Sequence, residues 1–412
     1  VANPAGKLFA QGGKTGSAAT GKWVKDGMVF DLHDAGTMDL IQSVPVNTTV
    51  LGCLGNAPGA TRGEAGAQHT NWLDHPSRAV CGSCHSDIDF EAGEGHLAQT
   101  TDDACSLCHK ADTGVEFDAS VKGAHQQLVN SAQLPGVLVE IVDIMDTDPG
   151  DTPTVVFSSK TKNGPLDPNT LNRLRFTITG PNEDFSFYAQ ETASGSAVAA
   201  GGLWNYTFAT PLPADAMGSY TVSTEGRAVV DINIGGETSS ERDVLQATQM
   251  AFAVTDAVAE PRRMVVDDEL CESCHVNLAL HGGGRTNANY CLTCHKPDLV
   301  DIADIPESVN MKWMIHKIHR GEDLENGYIV IRSRGTYDFS HGVYPGDLRN
   351  CEACHVNESY KLPLPQDLLP QLTPNFWWDE IEPVAAACLG CHDSDDTAAH
   401  AFVNTTFFGE SC

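Results

Sequence analysis

The chain has 412 residues, of which 41% are apolar, and a length of this order predicts two to four domains. Its formal net charge of −30 at pH 7 argues against a nucleic-acid-binding protein, which would neutralise phosphates with clustered Lys and Arg. No apolar run reaches the ~20 residues that a membrane-spanning helix needs.

Residues 1–70 are rich in Gly, Ala and Thr and predict no particular fold, although short strands are expected around residues 23–32 and 43–51. The first residues do not resemble a signal peptide, so the chain is interpreted as a mature or trimmed form. Residues 71–130 are loop-like and contain two copies of the pattern Cys-x-x-Cys-His.

Residues 131–256 contain neither Cys nor His, and apolar residues alternate with polar ones in short runs. This pattern predicts an all-β sandwich or split-barrel domain of about seven antiparallel strands. The runs are Val137-Val139-Ile141, Leu174-Phe176-Ile178, Trp204-Tyr206-Phe208, Tyr220-Val222 and Phe252-Val254.

Residues 257–412 carry four more copies of the Cys-x-x-Cys-His pattern. Between the second and third of them a helix is predicted from Ser308 to His319, with Ser308 as N-cap and Gly321 as its end. The chain is therefore expected to be multidomain, with a dihaem segment (71–130) and a tetrahaem domain (257–412) on either side of the β domain. Little regular structure and only short helices are expected in the haem segments.

The six motifs predict six covalently bound c-type haems. Thioether attachment is assigned to Cys81, Cys84, Cys105, Cys108, Cys271, Cys274, Cys291, Cys294, Cys351, Cys354, Cys388 and Cys391. The proximal iron ligands are then His85, His109, His275, His295, His355 and His392. Zinc is the alternative ligand of paired Cys-x-x-Cys units, but a zinc site does not require His directly after every second Cys.

Ten histidines lie outside the motifs, more than the six needed as second axial ligands, although a Met ligand is also open. The candidates favoured by sequence context are His96, His125, His281, His316, His319 and His400. His281 precedes three glycines that permit close approach to a porphyrin. His316 and His319 stand three apart on the predicted helix and can serve two haems. His33, His69, His75 and His341 are weaker candidates.

Two cysteines, Cys53 and Cys412, lie outside the motifs. They either form a disulfide or, in the interpretation we favour, Cys412 begins a further haem motif that is cut off. Acidic runs at residues 267–269 and 393–396 offer carboxylates to Ca²⁺, although a solvated surface explains them more simply. Covalent haem attachment takes place outside the cytoplasm, so an extracytoplasmic location is expected.

From about residue 72 the chain resembles the OmcA/MtrC family of outer-surface multihaem cytochromes. Four segments carry the resemblance: Pro76 to Val80 before Cys81, Leu278 to Gly283, Met314 to Gly321, and Tyr344 to Asn350 leading into Cys351.

The resemblance implies haem clusters separated by β domains, with two His ligands on each iron. His281, His316, His319 and His400 match the family's distal ligands. Electrons would pass to mineral oxides, flavins, electrodes or partner cytochromes at the outer-membrane surface or outside the cell. Family members carry about ten haems, so six motifs indicate either a fragment or a shortened relative. A shortened relative could polymerise into a filament, with a residue such as His33 binding haem in a neighbouring subunit.

Three functions compete at this stage. An electron carrier needs only closely spaced haems with filled coordination, and it is the function we favour over an enzyme. A multihaem reductase of a small oxyanion needs an open iron position, but all six motifs are regular and the acidic surface repels anions. A structural or adhesive protein would explain the β domain but not the haem motifs.

Overall fold

A computed structural model of the chain describes residues 29–33, 40–45, 71–275, 278–376, 380–406 and 409–410. The chain divides into two compact units, Val1–Gln127 and Leu128–Cys412. Strands β1 (Val29–His33) and β2 (Leu40–Pro45) pair antiparallel, in partial agreement with the strands expected near them. His69, Cys53 and Cys412 lie outside the described residues, as does the rest of the N-terminal segment.

In the first unit the two Cys-x-x-Cys-His motifs lie on short helices joined by loops. An ion pair holds the motifs together, since Arg78 Nε lies 2.9 Å from an Asp102 carboxylate oxygen and the Arg78 amide donates to the same oxygen. The serine caps Ser77 and Ser120 accept backbone N–H groups at two helix starts. The helices are α1 (Asn71–Asp74), α2 (Arg78–Cys81), α3 (Cys105–Cys108) and α4 (Val121–Ala124).

The second unit begins with two antiparallel five-stranded sheets that share one apolar core. The strands are β3 (Leu138–Met145), β4 (Thr154–Thr161), β5 (Gly164–Pro165), β6 (Arg173–Gly180), β7 (Phe187–Thr192), β8 (Val198–Ala200), β9 (Leu203–Thr207), β10 (Ser219–Ile234), β11 (Glu237–Val244) and β12 (Gln249–Ala253). One sheet has the order β11-β10-β6-β7, and β12 also pairs with β10. The other sheet has the order β3-β4-β9-β8, and β5 also pairs with β4.

The alternating runs of the sequence supply this core. Leu174, Phe176 and Ile178 are fully buried, and all five predicted runs contribute residues to the core or pack against it. The prediction of an all-β domain is thus confirmed. The expected number of about seven strands is wrong, because ten strands form, four of them only two to five residues long.

Shortening one side chain in this core tests how closely it is packed. Ile178→Val is expected to lower the free energy of unfolding by about 1 kcal/mol, because a buried methylene is lost and a small cavity remains. Urea unfolding followed by far-ultraviolet circular dichroism measures the change. Val198→Ala on the exposed strand β8 is the control, and an equal loss in both variants would contradict a closely packed core.

The C-terminal part of the second unit carries the other four motifs. Its helices are α5 (Asp268–His275), α6 (Ala288–Cys294), α7 (Met311–Arg320), α8 (Pro383–Leu389) and α9 (Asp395–Asn404). Its strands form two-residue to four-residue hairpins: β13 (Ile329–Arg332), β14 (Gly335–Asp338), β15 (Gln371–Leu372), β16 (Glu380–Ile381), β17 (Thr405–Thr406) and β18 (Gly409–Glu410). A small core around Trp313, Tyr328 and Leu389 packs α7, α8 and α9 together.

The helix expected from Ser308 begins three residues later than predicted. Asn310, not Ser308, is the N-cap, because its side chain accepts the Lys312 N–H, while Ser308 is buried and its hydroxyl accepts the Asn310 N–H. The predicted end is confirmed, since Gly321 caps α7 with a positive φ of 47°.

The outer face of the β6–β10 sheet is covered by the segment that carries the fourth motif. Glu225 at the centre of this face has a fully buried side chain and pairs with three arginines. It also accepts a hydrogen bond of 2.8 Å from the buried Tyr290 hydroxyl of α6. The β domain and the fourth motif therefore share one buried polar interface.

Candidate metal centres

Each Cys-x-x-Cys-His motif forms a single helical turn. In five motifs the His amide donates to the carbonyl of the first Cys, at 2.9 to 3.0 Å, and in the remaining motif the whole pattern lies within α5. This turn places both sulfur atoms and the imidazole of one motif close together. All twelve motif cysteines lie in the described part of the chain, and all are free of disulfides.

Five of the six motif histidines face a second imidazole. The ring centroids are 5.9 to 6.2 Å apart in all five pairs. The pairs are His85 with His125, His109 with His96, His275 with His319, His295 with His281, and His355 with His316.

This separation fits one metal ion between each pair. A metal ion lies about 2 Å from an imidazole nitrogen that binds it, so two rings on opposite sides of one ion have centroids about 6 Å apart. The separation is too large for two stacked rings in van der Waals contact. Five independent pairs with the same spacing are what axial ligation of haem iron requires of the protein.

The other nitrogen of the ring is held by the protein in every pair. His125, His96, His319 and His295 direct Nδ1 at a backbone carbonyl, at 2.6 to 2.9 Å, and His355 directs it at the Ser359 hydroxyl. Metal-binding histidines use such contacts to fix the tautomer and the orientation of the ring. In each case Nε2 is left to face the partner imidazole.

Burial keeps the deepest imidazoles neutral. Burial lowers the pKa of His295 to about 4, with a smaller opposing effect from its bond to the Val309 carbonyl. Burial and the neighbouring His355 lower the pKa of His316 to about 4. A neutral imidazole is the form that binds a metal, so these rings are ready to bind at pH 7.

The motif cysteines of the second unit lie near one another in a definite order. Burial, followed by the charge of Cys354 in the fifth motif, raises the pKa of Cys271 in the third to about 11. Burial raises the pKa of Cys291 in the fourth motif, with a smaller contribution from Cys271. Burial likewise raises the pKa of Cys391 in the sixth motif, with a smaller contribution from Cys351. Helix α7 supports this order, because His316 faces the fifth motif and His319 faces the third. The third motif thus neighbours both the fourth and the fifth, and the fifth neighbours the sixth.

The sixth motif differs from the others. His392 is exposed, and among the residues that the structure describes no second imidazole faces it. His400 lies on α9, where its ring and its carbonyl contact the Asn404 side chain. The assignment of His400 to the sixth iron stays a prediction. The weaker candidate His341 is exposed beside Asp338, and the side chain of His33 lies outside the described residues.

The alternative metal sites do not form. Within the described ranges no group of three His, Cys, Asp or Glu side chains is arranged to hold an ion, so neither zinc on paired motifs nor Ca²⁺ on the acidic runs is found there. The simpler interpretation of residues 393–396 as a solvated surface is also wrong in part. Asp393 is buried, accepts the Glu325 and Asn326 N–H groups, and lies 3.8 Å from Lys317 Nζ.

Sequence reasoning missed the arginines around the fourth motif. Arg173, Arg175 and Arg227 come from the β domain, and Arg173 and Arg227 meet the loop after His281. The only signal in the sequence is that arginines occupy alternate positions in two core strands. Side chains at alternate positions of a strand point to the same side, so these arginines lie together on the outer face.

Comparison with known proteins identifies the relatives of this chain. Residues 263–411 match the family described as outer membrane cytochrome MtrC/MtrF-like, domains II/IV. The chain is 24% identical over 354 residues to the multiheme cytochrome MtrC of Shewanella baltica (strain OS185), a match that covers 70% of this chain and 52% of MtrC. The chain is thus similar to the OmcA/MtrC family of multihaem cytochromes.

Two solved structures of multihaem cytochromes are similar to this chain. The crystal structure of MtrC from Shewanella baltica OS185 matches with a TM-score of 0.53 and 17% identity, over 86% of this chain and 61% of that one, which shows a shared fold. The crystal structure of the outer membrane decaheme cytochrome OmcA matches with a TM-score of 0.40 and 18% identity, over 63% and 44% of the two chains. The chain spans about half the length of its curated relative. Among the described residues there is no helix with the length and apolar character to cross a membrane.

Proposed function

We propose that the chain is a multihaem c-type cytochrome that carries electrons outside the cytoplasm. The observation that carries this proposal is the set of five imidazole pairs at 5.9 to 6.2 Å, each including the His of a Cys-x-x-Cys-His motif. Haem c would supply a reversible one-electron couple at each motif. The two cysteines of each motif would hold the haem covalently, and the two imidazoles of the pair would bind its iron.

Filled axial positions favour a carrier over a reductase. With His on both faces an iron has no vacant position for a small oxyanion, which the alternative reaction requires. Imidazoles held through Nδ1 keep their orientation in both oxidation states, so little rearrangement opposes electron transfer. His392 and His400 complete the proposed set at the sixth motif.

The order of the motifs in the second unit supports a linear path. The fourth and third motifs have neighbouring cysteines, the third and fifth share α7, and the fifth and sixth again have neighbouring cysteines. We infer a route along these four sites. External acceptors would be metal oxides, flavins or partner cytochromes of an outer-membrane conduit, because the relatives are described as outer membrane cytochromes. Assembly of copies into a filament extends the same proposal.

A combined haem count and spectrum tests the proposal. Intact mass and the pyridine haemochrome assay are expected to give six haems per chain, and low-temperature electron paramagnetic resonance is expected to show only low-spin iron. Fewer than six haems would contradict the attachment sites. A high-spin signal equal to about one sixth of the iron would mean an open position at one site and would favour the reductase.

A further inference from the structure

Five arginines gather beside the fourth motif, in a chain whose net charge is −30. Four of them lie on the outer face of the β domain, and the fifth lies in the loop after His281. We call them the arginine cluster: Arg173, Arg175, Arg227, Arg242 and Arg285.

Glu225 alone supplies negative charge to this cluster within the described structure. Its carboxylate lies 3.3, 3.5 and 2.8 Å from nitrogens of Arg173, Arg175 and Arg285. Five positive charges therefore face one negative charge, which leaves a formal excess of four. Burial and the neighbouring Arg173 and Arg242 lower the pKa of Arg227, which shows how poorly its charge is compensated.

The two remaining arginines have only a neutral partner. Arg227 and Arg242 both donate to the carbonyl of Gly282, the residue directly after His281. The buried Nε of Arg227 has no hydrogen-bond partner in the described part of the chain. A buried guanidinium nitrogen without an acceptor is costly, and an added anion would satisfy it.

The cluster lies next to one imidazole pair. His281, Gly282 and Gly283 all have positive φ, and this turn brings the backbone close to the arginines while the His281 ring faces His295. Glycine is required because a side chain at Gly282 would lie 3.2 Å from an Arg242 nitrogen and at a left-handed φ.

We propose that the arginine cluster binds carboxylate or phosphate oxygens at the edge of the haem that His281 and His295 would hold, and that the positive charge left in excess raises the reduction potential of that haem. This inference rests on the proposed function, since it requires a haem at the fourth motif. Guanidinium groups bind such oxygens in a bidentate manner. The two propionates of that haem are the expected source, and free phosphate is the other. Positive charge beside the iron favours the reduced state, because reduction adds an electron.

Spectroelectrochemical titration of the full haem-loaded chain tests the proposal. In Arg227→Gln, one component of the titration, with about one sixth of the haem absorbance, is expected to have a lower reduction potential. At a fixed applied potential its ratio of reduced to oxidised haem should fall roughly tenfold, which corresponds to a shift of ~59 mV for a one-electron couple. Arg242→Gln is a second variant, at an exposed residue. Lys160→Gln removes the same charge from an exposed site in the other sheet and is the matched control.

The assignment to this haem is tested in a His281→Met background, because replacing a His ligand with Met raises the potential of the affected haem. In the double variant, Arg227→Gln should lower the reduction potential of the same component whose potential His281→Met has raised. Inorganic phosphate added at constant ionic strength distinguishes the two sources. An unchanged potential assigns the bound oxygens to the propionates, and a phosphate-dependent fall in potential that Arg227→Gln abolishes assigns them to the free anion.

Two failures can be told apart. If six low-spin haems are present but neither arginine variant shifts a component more than Lys160→Gln does, the arginine cluster does not bind an anion at this haem. If the fourth motif carries no haem, the proposed function itself fails at this site.

Discussion

Replacing Glu225 with alanine is expected to lower the free energy of unfolding of the second unit by about 3 kcal/mol. The Glu225 side chain is fully buried, and its loss leaves three arginines and the Tyr290 hydroxyl without their shared acceptor. The arginines are 22% to 31% exposed, so water screens part of the charge that is left unpaired. The expected loss therefore lies at the lower end of the range measured when one partner of a buried ion pair is removed. Urea unfolding followed by far-ultraviolet circular dichroism measures it.

Two further variants separate the contributions. Glu225→Gln keeps an acceptor for Tyr290 but removes the charge, so its loss should be intermediate. Glu140→Ala removes a carboxylate that is 47% exposed and paired with Lys160, and should cost less than about 1 kcal/mol. Equal losses for Glu225→Ala and Glu140→Ala would show that the buried interface does not stabilise the unit.

Replacing His319 with alanine is expected to convert one haem of the six to the high-spin state. The His319 ring lies 6.0 Å from His275, and its Nδ1 contacts the Ile315 carbonyl, so the substitution removes the second imidazole from the third motif alone. Electron paramagnetic resonance of the oxidised protein should show a high-spin signal of about one sixth of the iron. The reduced protein should then bind carbon monoxide at that haem.

His341→Ala is the matched control, because the His341 side chain is 87% exposed and lies 3.5 Å from an Asp338 carboxylate oxygen. It should leave all six haems low-spin. His316→Ala should produce a signal of the same size, but from the haem of the fifth motif, and the double variant should double it. A fully low-spin spectrum for His319→Ala would exclude this residue as a ligand.

The haem-binding chemistry of this chain could be predicted from its sequence, because each motif consists of residues that are close together in the chain. A Cys-x-x-Cys-His pattern needs only one helical turn to bring its three side chains together, and such turns form at the motifs. The β domain was accessible for a similar reason. In a strand, alternate residues point to the same side, so the runs around Val139, Phe176 and Val222 already specified the buried face.

Other features depend on contacts between distant parts of the chain. Glu225 meets Arg285 across 60 residues and Tyr290 across 65, and nothing local distinguishes this buried glutamate from an exposed one. Asp393 was grouped with its acidic neighbours in the sequence, but it is buried because the backbone at Glu325 and Asn326 supplies its donors.

The sequence by itself determined the haem motifs, a sufficient number of spare histidines, the β domain and the family resemblance. Only the tertiary structure decided which imidazoles face each other, the order of the four C-terminal motifs, and the position of the arginine cluster. The reason is physical, since covalent spacing and strand periodicity act over a few residues. The partner of His295 or of Glu225 is instead chosen by the packing of segments that are far apart in the chain.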